Sequence, residues 1–507
     1  MKFLNLQKNP LISYKPNTEN HITNPINLSE KEKKIFEIIK ETIKISNLKN
    51  IELRVVGGWV RDHLLNIPCH DLDITIKGID SKTFVKILND KVLNKDKCNI
   101  INNTIKKQDG TEINLTKTKI LDIMIDFIDL SGNVIDDVKR RDFTFNSLYY
   151  NILENKIEDF LNKGINDLKN GFIRTCVEPN QLFNYDSLNI LRMLRFATIL
   201  QFVIDDDCLN DIENNKNIYQ NNLLNNISKE RIQKEISLIF TSKNPSFAIY
   251  FLYKFNLLEY VLHLDLYKND YNWFNEKDIL NIVNIFIIGK MCFDKYKNYF
   301  EGENYDDKYK CSYYSLLLII IMRNFTDSSS NNVAKIVLAN VLKLPFQESK
   351  IILKILNNFD EFNTFINKNE YNRLNVGILL RKFFVYNISK MILISISNEY
   401  IIKVNSNKIL ENINENDLDY IFNKYYEFYK FVKKENLNNV NSIKSIINGK
   451  EIQNLFPGFP KNYLGLMNEY LIDKQIETNN NLTKEDAINH IKYKMKELNI
   501  ALNPKDK

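Results

Sequence analysis

The chain has 507 residues, carries 69 Lys and Arg against 63 Asp and Glu, and is 44% hydrophobic. This length exceeds what one hydrophobic core usually supports, and the composition excludes a disordered chain, so we expect several globular domains. The net charge of +6 permits a polyanionic partner without requiring one. The six cysteines form no C-x-x-C pair, which argues against a zinc site or a disulfide framework and indicates a reducing compartment. The longest apolar run, Leu316 to Met322, is too short to cross a bilayer and predicts a buried helix.

The beginning of the chain predicts a polar leader, a helix and a strand. The leader shows neither the apolar core of a secretory signal nor an Arg-rich mitochondrial pattern. Ser29 and Glu32 have the spacing of a capping box and precede a periodic row of isoleucines, which predicts a helix. Residues 51–56 then predict a strand.

A glycine pair follows that strand and precedes a short helix. Gly57 and Gly58 allow backbone N–H groups to approach an anion closely, and the helix that begins beside them adds the positive end of its dipole. Arg61, in the first turn of that helix, adds a guanidinium. This segment therefore predicts a phosphate-binding site.

The next strand begins with two acidic residues, Asp71 and Asp73. Because side chains alternate along a strand, both carboxylates lie on one face. Carboxylate oxygens are the ligands that Mg²⁺ prefers. Two such ligands beside a phosphate site predict a metal site suited to nucleotidyl transfer.

A third acid is expected on a neighbouring strand. A helix from Ser81 to Leu93 and a hairpin around Asp109-Gly110 lead to a strong strand from Ile120 to Leu130. That strand carries Asp122, Asp126 and Asp129, and we choose Asp126 as the supporting acid.

A short polar connection, residues 131–137, then leads to Arg140-Arg141-Asp142. The two guanidinium groups offer forked donors for a triphosphate or a ribose. We expect the Asp142 carboxylate to fix the orientation of these arginines.

Helical periodicity dominates from about Tyr185 to the C-terminus, so the fold class is an α/β head followed by a long all-α region. The polar segments Asn214 to Asn226, Thr326 to Asn332 and Thr478 to Asn481 are candidate loops.

Asp186, Asn189 and Arg192 follow one another at three-residue steps, which places them along one face of a helix. Cytosine and adenine each present an exocyclic amino donor beside a ring-nitrogen acceptor, whereas uracil and guanine invert this pattern. An acidic acceptor beside a donor would therefore select C and A together.

Taken together, these motifs resemble those of the class II tRNA nucleotidyltransferases, or CCA-adding enzymes, within the poly(A) polymerase/CCA-adding superfamily with a DNA polymerase β-like head. The segments that carry the resemblance are G-G-W-V-R-D (57–62), D-L-D (71–73), R-R-D-F-T-F-N-S-L-Y-Y-N (140–151), I-E-D-F-L-N-K-G-I-N-D-L-K-N-G-F-I-R-T (157–175), D-S-L-N-I-L-R-M-L-R-F-A (186–197) and I-S-K-E-R-I-Q-K-E (227–235). The segment from Ile447 to Pro460 is similar to the family's tail.

The resemblance implies an Mg²⁺-dependent enzyme that adds CC or CCA to the 3′ end of tRNA from CTP and ATP without a template. It implies recognition of the acceptor arm and elbow of tRNA, with no membrane and no obligate protein partner. We expect a cytoplasmic protein and leave the mitochondrion and nucleus open. The implied domains are a leader (1–27), a nucleotidyltransferase head (28–180), a helical neck with the base-reading helix (181–270), a helical body (271–425) and a tRNA-binding tail (426–507).

The resemblance also implies roles for single residues. Catalytic and metal-binding roles fall to Asp71 and Asp73, with Asp126 as the supporting acid. Supporting roles around the base-reading group fall to Arg195, Arg231 and Glu235. Nucleotide binding falls to Gly57, Gly58, Arg61, Arg140, Arg141, Asp142, Asp186, Asn189 and Arg192.

The sequence departs from the family pattern at two places. Asn189 stands where the family usually has Arg, so one charged donor is lost and Arg192 is the expected substitute. Only residues 131–139 separate the third-acid strand from Arg140, where relatives carry a longer loop associated with the switch from C to A. These departures lead to the hypothesis that the chain adds CC efficiently and the terminal A poorly or not at all.

Two alternatives stay open at this point. A bacterial-type poly(A) polymerase shares the head. A catalytically silent RNA-binding protein would explain the loss of the usual Arg at position 189, although the intact Asp71 and Asp73 argue against it.

Overall fold

The computed structural model describes residues 11, 26–69, 71–91, 101–106, 112–130, 132–262, 276–302, 305–323, 343, 346–383 and 388–500. The chain divides into two compact units, Met1–Asp265 and Leu266–Lys507. The first unit contains a mixed sheet with helices and the second is built from helices, which confirms the predicted α/β head followed by an all-α region. The finer division into head, neck, body and tail stays a prediction.

One mixed sheet organises the first unit. Its strands are β1 (Glu52–Val56), β2 (Asp71–Lys77), β3 (Ile101–Lys106), β4 (Glu112–Ile120), β5 (Ile123–Asp129), β6 (Tyr149–Asn151) and β7 (Lys156–Glu158). Their spatial order is β3-β4-β5-β2-β1-β6-β7. Strands β2 and β5 pair in parallel, and the other neighbouring pairs are antiparallel. The parallel pair is important for the site because it sets two acidic strands side by side in the same direction.

The two faces of strand β2 differ in character. Leu72, Ile74 and Ile76 are buried, and Ile74 lies opposite the buried Phe127 of β5. Phe84, from the helix that covers this face, packs its ring 5.6 Å from that of Phe127. The apolar face therefore anchors the sheet in the core and leaves the alternate face for Asp71 and Asp73.

The prediction of a single strand from residue 120 to 130 is wrong. The chain turns at Leu121 and Asp122, whose φ angles are +49° and +68°, so that β4 and β5 form a tight hairpin. Positive φ at both central residues is typical of the turn whose twist matches that of the paired strands. Asp122 consequently lies in the exposed turn rather than on a strand.

Helices and short connections complete the first unit. They are α1 (Glu30–Ile45), α2 (Gly58–Leu64), α3 (Ser81–Lys91), α4 (Val134–Lys139), a 3-10 turn (Thr144–Asn146), α5 (Gly164–Asn170), α6 (Pro179–Tyr185), α7 (Leu188–Leu200), α8 (Asp206–Asn225), α9 (Lys229–Thr241), α10 (Pro245–Lys254) and α11 (Leu258–Val261). A small parallel pair, β8 (Phe172–Ile173) with β9 (Val203–Ile204), joins the segment before α6 to the segment after α7. The capping box that starts α1 is present as predicted, because the Ser29 hydroxyl and the Glu32 side chain each satisfy the other residue's backbone N–H.

The polar segment from Asn214 to Asn226 is helical rather than a loop, which corrects the prediction. It belongs to α8, which has non-helical angles only at Asn215. Burial of Tyr219 and Leu223 holds this segment against the unit, since both side chains are fully buried.

The second unit is a set of packed helices. Its helices are Glu276–Tyr296, Asp307–Arg323, Phe346–Lys368, Arg373–Phe383, Ile388–Val404, Glu415–Lys434, Gly449–Leu455, Leu464–Glu477 and Lys484–Glu497. The predicted buried helix over residues 316–322 lies within the second of these. The predicted break at Thr478 to Asn481 separates the last two helices, and Thr483 with Asp486 caps the final one. The candidate loop from Thr326 to Asn332 lies outside the described residues. Across the described part of the chain, we find no helix with both the length and the apolar character needed to span a membrane.

Candidate active site

Two aspartates lie side by side on neighbouring parallel strands at the centre of the sheet. Asp73 of β2 lies in register with Asp126 of β5, and Asp71 lies two positions earlier on the same face as Asp73. Burial raises the pKa of Asp73, and the negative charge of Asp126 raises it further. This face therefore carries a concentration of negative charge that a divalent cation would relieve.

The other two candidate acids have different partners. Asp122 pairs with Lys119 at 3.2 Å in the exposed turn. Asp129 accepts a hydrogen bond from the backbone N–H of Ser81 at 2.6 Å, at the start of α3. The register thus favours Asp126 as the third acid, and its catalytic role stays a prediction.

A lysine that the sequence analysis missed adjoins the third acid. Lys117 lies opposite Asp126 in the antiparallel β4–β5 pair, and its ammonium group contacts the Asp126 carboxylate. Within the described residues, no three His, Cys, Asp or Glu side chains already converge as a metal cage. The acids are set out along a sheet face, a donor set of carboxylate oxygens that fits a hydrated Mg²⁺ ion.

The glycine pair leaves open space beside two guanidinium groups. Gly57 has a φ of +73°, and a Cβ atom there would lie 3.5 Å from Nη1 of Arg141. A Cβ atom on Gly58 would lie 3.3 Å from Nη2 of Arg61. Because α2 begins at Gly58, its free backbone N–H groups start in the same place. These features together form a cradle suited to phosphate oxygens.

Neighbouring side chains hold Arg61 in a fixed orientation. Its guanidinium donates to both carboxylate oxygens of Asp62 at 2.8 and 2.9 Å and to the side-chain oxygen of Asn146 at 2.8 Å. The same group lies over the ring of Phe196, 5.1 Å from its centroid. Arg61 therefore connects the glycine segment with the 3-10 turn and with α7.

The arginine pair is oriented by Asp137 rather than by Asp142, which corrects our expectation. Asp137 accepts from Arg140 at 3.3 Å and from Arg141 at 3.1 Å. The Tyr149 hydroxyl donates to Asp137 at 2.5 Å and accepts from Nε of Arg141 at 3.0 Å. Burial opposes the charge of Arg141, but Tyr149 and Asp137 outweigh it and raise the pKa of this guanidinium.

Asp137 lies in a segment that we had expected to be a polar connection. Residues 134–139 instead form α4, and Asn133 caps it by accepting from the backbone N–H of Ile135. A helix places Asp137 four residues before Arg141, the spacing at which oppositely charged side chains meet.

Asp142 links the arginine segment to α7. Its carboxylate accepts from Nη2 and Nε of Arg192 at 2.5 and 3.0 Å and from the side-chain amide of Asn146 at 3.0 Å. Burial raises the pKa of Asp142, but the positive charge of Arg192 and these hydrogen bonds lower it overall. Arg192 is thus engaged by a carboxylate and is not the free donor that we expected.

The three expected base-reading residues do not share one helix face. Asp186 is extended, with φ −151° and ψ 97°, and precedes α7, whereas Asn189 and Arg192 lie within it. The Asn189 side chain donates to the backbone oxygen of Asp186 at 3.0 Å, and the residue is 8% exposed.

Helix α9 supplies two of the three expected supporting residues, Arg231 and Glu235, and α7 supplies Arg195. Arg231 donates to Oδ2 of Asp186 at 2.5 Å. Glu235 accepts from Nε of Arg195 at 2.6 Å and lies 3.8 Å from Arg192. No pattern in the sequence singles out Lys117, Asn146, Tyr149 or Phe196, whereas the spacing of Asp137 from Arg141 is a local signal for their pairing.

Comparison with known proteins shows which families the segments around this site are similar to. The family model described as the poly A polymerase head domain matches residues 53–174. The model described as a probable RNA and SrmB-binding site of polymerase A matches residues 201–265. The mitochondrial CCA tRNA nucleotidyltransferase of Candida glabrata is 32% identical over 289 residues, which cover 51% of this chain and 54% of that protein. These segments of the chain are thus similar to those of poly(A) polymerases and CCA-adding enzymes.

Longer matches extend this relationship with lower identity. The chain spans about half the length of the Candida glabrata relative that it matches. The mitochondrial CCA tRNA nucleotidyltransferase of Saccharomyces cerevisiae is 25% identical over 523 aligned positions, which cover 92% of this chain and 93% of that protein. The Thermotoga maritima CCA-adding enzyme, solved in complex with tRNA, has a TM-score of 0.55 at 17% identity, covering 92% of this chain and 96% of that one. At this identity, the structural similarity concerns the fold.

Proposed function

We propose that this chain is a CCA-adding enzyme, an Mg²⁺-dependent tRNA nucleotidyltransferase that adds C and A residues to the 3′ end of tRNA from CTP and ATP, without a nucleic-acid template. The observation that carries the proposal is the parallel register of Asp73 and Asp126 in the sheet whose strand β1 leads directly into the glycine pair of the cradle. Carboxylates that hold a cation beside a cradle for phosphates are what nucleotidyl transfer requires.

The reaction joins the tRNA 3′-oxygen to the α-phosphorus of the nucleotide and breaks the bond to the β-phosphate, so that pyrophosphate leaves. Asp71 and Asp73, with Asp126 in support, are the residues proposed to hold Mg²⁺. When bound there, the ion supplies charge stabilisation at the α-phosphate and favours ionisation of the attacking hydroxyl.

The remaining steps fall to residues of the chain itself. Arg61 and Arg141 would bind and orient the triphosphate, because their guanidinium groups flank the glycines at the start of α2. Asp62 and Asp137 hold these two arginines in place before the substrate arrives. Such prior ordering reduces the entropy that substrate binding would otherwise cost.

Nucleotide addition tests the proposal directly. The purified protein is incubated with tRNA lacking its CCA end and with CTP alone, ATP alone or both. We expect incorporation that requires tRNA and Mg²⁺, and we expect the Asp71→Ala protein to bind tRNA without extending it. Long A tails on unrelated RNAs would instead identify a poly(A) polymerase, and binding without incorporation would identify a silent RNA-binding protein.

The same assay tests the hypothesis of CC addition. The connection before Arg140 is short and its residues 134–139 are folded as α4, so no long loop lies in that place. We therefore propose that CC is added faster than the terminal A. Completion of CCA at a rate comparable with CC addition would refute this part of the proposal.

The cellular location is proposed on the names of the relatives. Both curated relatives compared above are named as mitochondrial proteins. We propose that this chain acts in the mitochondrion as well as in the cytoplasm. Fractionation of cells that express a tagged chain, followed by detection in each fraction, tests this assignment.

A further inference from the structure

The residue at position 189 does not present a donor to a nucleotide. The Asn189 side-chain amide and its backbone N–H both donate to the backbone oxygen of Asp186, each at 3.0 Å. With 8% of its surface exposed, Asn189 serves the first turn of α7. A base that approaches Asp186 would therefore need its second partner from elsewhere.

Arg192 is also engaged. Two of its guanidinium nitrogens donate to Asp142, and the third lies 3.8 Å from Glu235. Drawing this side chain toward a nucleotide would leave the Asp142 carboxylate, 9% exposed, without its cation, and breaking a partly buried ion pair costs free energy. Arg192 is thus better suited to holding α7 against the arginine segment.

Arg231 has the properties that positions 189 and 192 lack. Its Nη2 lies 2.5 Å from Oδ2 of Asp186, and its side chain is 45% exposed, so the other N–H groups of the guanidinium can meet a ligand. The Asp186 carboxylate is held in place at Oδ1 by the backbone N–H of Leu188 at 3.1 Å. A carboxylate acceptor and a guanidinium donor thus stand side by side.

We propose that Arg231 supplies the donor that reads the Watson–Crick edge of the incoming base together with Asp186. Asp186 accepts from the exocyclic amine, and Arg231 donates to the neighbouring ring nitrogen, N3 of cytosine or N1 of adenine. Uracil and guanine present a donor where Arg231 requires an acceptor, so they are rejected. This inference rests on the proposed function and assigns its nucleotide selectivity to a residue of α9.

Selectivity kinetics test the assignment. kcat/KM is measured for CTP and for UTP on tRNA lacking CCA, with the wild-type protein, Arg231→Gln and the matched control Lys234→Gln, an exposed cation on the same helix. We expect Arg231→Gln to lower the preference for CTP over UTP about 10- to 100-fold, the size of a lost charge-assisted hydrogen bond, mainly through KM. Lys234→Gln should keep the wild-type preference.

A base analogue identifies the bond itself. 3-Deazacytidine triphosphate lacks the ring-nitrogen acceptor, so the wild-type protein should use it less well than CTP. An Arg231→Met protein, whose side chain has no N–H donor, should no longer distinguish the two. If Arg231→Gln slows CTP, UTP and the analogue by one common factor, Arg231 only supports Asp186 and the inference is wrong.

Two further variants keep the outcome clear. Arg231→Lys retains the charge beside Asp186 but not the fork, so it should fold as the wild type does and show an intermediate preference, even where Arg231→Gln is unstable. Asn189→Ala should change the preference for CTP over UTP less than Arg231→Lys or Arg231→Gln does. A larger change for Asn189→Ala than for the Arg231 variants would overturn the inference. Failure of the wild-type protein to extend tRNA with any nucleotide would instead refute the proposed function.

Discussion

The contacts of the Asp137 carboxylate predict how much stability the protein loses when its charge is removed. It accepts hydrogen bonds from Arg140, Arg141 and Tyr149, and its side chain is 17% exposed. Asp137→Asn keeps the shape of the side chain but removes the negative charge that stabilises the half-buried Arg141 guanidinium. Because charge-assisted hydrogen bonds contribute about 1.5–3 kcal/mol each in such settings, we expect a loss of roughly 2–4 kcal/mol in the free energy of unfolding.

The same substitution should weaken nucleotide binding. Without Asp137, Arg141 loses the partner that points it toward Gly57, so KM for CTP should rise about 10-fold or more, the effect of one lost charged contact. Urea denaturation and single-nucleotide addition give the two quantities. Asp136→Asn is the matched control, because Asp136 lies in the same helical turn but is exposed, and it should change stability by less than about 0.5 kcal/mol. Equal stability and KM for Asp137→Asn and Asp136→Asn would refute the reasoning.

Two other substitutions test separate parts of the head. Burial raises the pKa of Glu32, but hydrogen bonds from His63 and Ser29 outweigh it and lower the value to about 2. The resulting stability is therefore complete above the ordinary value of 4.5 and is lost as pH falls toward 2. Glu32→Gln should cost roughly 1.5–3 kcal/mol at pH 7 and progressively less in urea titrations between pH 5 and pH 3, and a pH-independent difference would contradict the linkage. Gly57→Ala should destabilise by about 1–3 kcal/mol, because φ is +73°. It should also raise KM for CTP, because the added methyl group would occupy the space beside Arg141 that we assign to the phosphates. The control Gly465→Ala, whose Cβ atom would meet no atom within 4 Å, should leave KM unchanged and stability unchanged or slightly increased. A Gly57→Ala protein as stable and as active as the wild type would show that the cradle does not need glycine.

Local signals in the sequence predicted the first half of the site. The Ser29 cap, the glycine pair and the alternation along β2 each depend on neighbouring residues, and the structure contains all three features. The parallel neighbour of β2 was predicted only in part. Asp126 lies in register with Asp73, and its role as the third acid stays a prediction. The turn at Leu121 and Asp122 was missed because apolar residues flank Asp122 on both sides.

Contacts between distant residues explain why two other predictions from the sequence, for Asp142 and for α8, were wrong. The pairing of Asp142 with Arg192 joins side chains 50 positions apart, so no local pattern could show that Asp142 is unavailable to Arg140 and Arg141. The helix α8 was taken for a loop because asparagine has low helix propensity, yet buried Tyr219 and Leu223 override that preference. Amide side chains one turn apart also bond to each other along this helix, as Asn225 does to Asn221 at 2.8 Å.

The parallel pairing of β2 with β5 also has a kinetic consequence. Asp73 and Asp126 are about 50 residues apart in the chain, and the β3–β4 hairpin must be placed beyond β5 before the sheet has its final order. Contacts between distant parts of a chain form slowly, because the entropy of closing the intervening loop is lost before the contact stabilises anything. The helices of the head can thus form early, while the acidic face is completed among the last events of folding. An incompletely folded head would contain secondary structure, but Asp126 would not yet lie beside Asp71 and Asp73, because that proximity requires β2 to pair with β5.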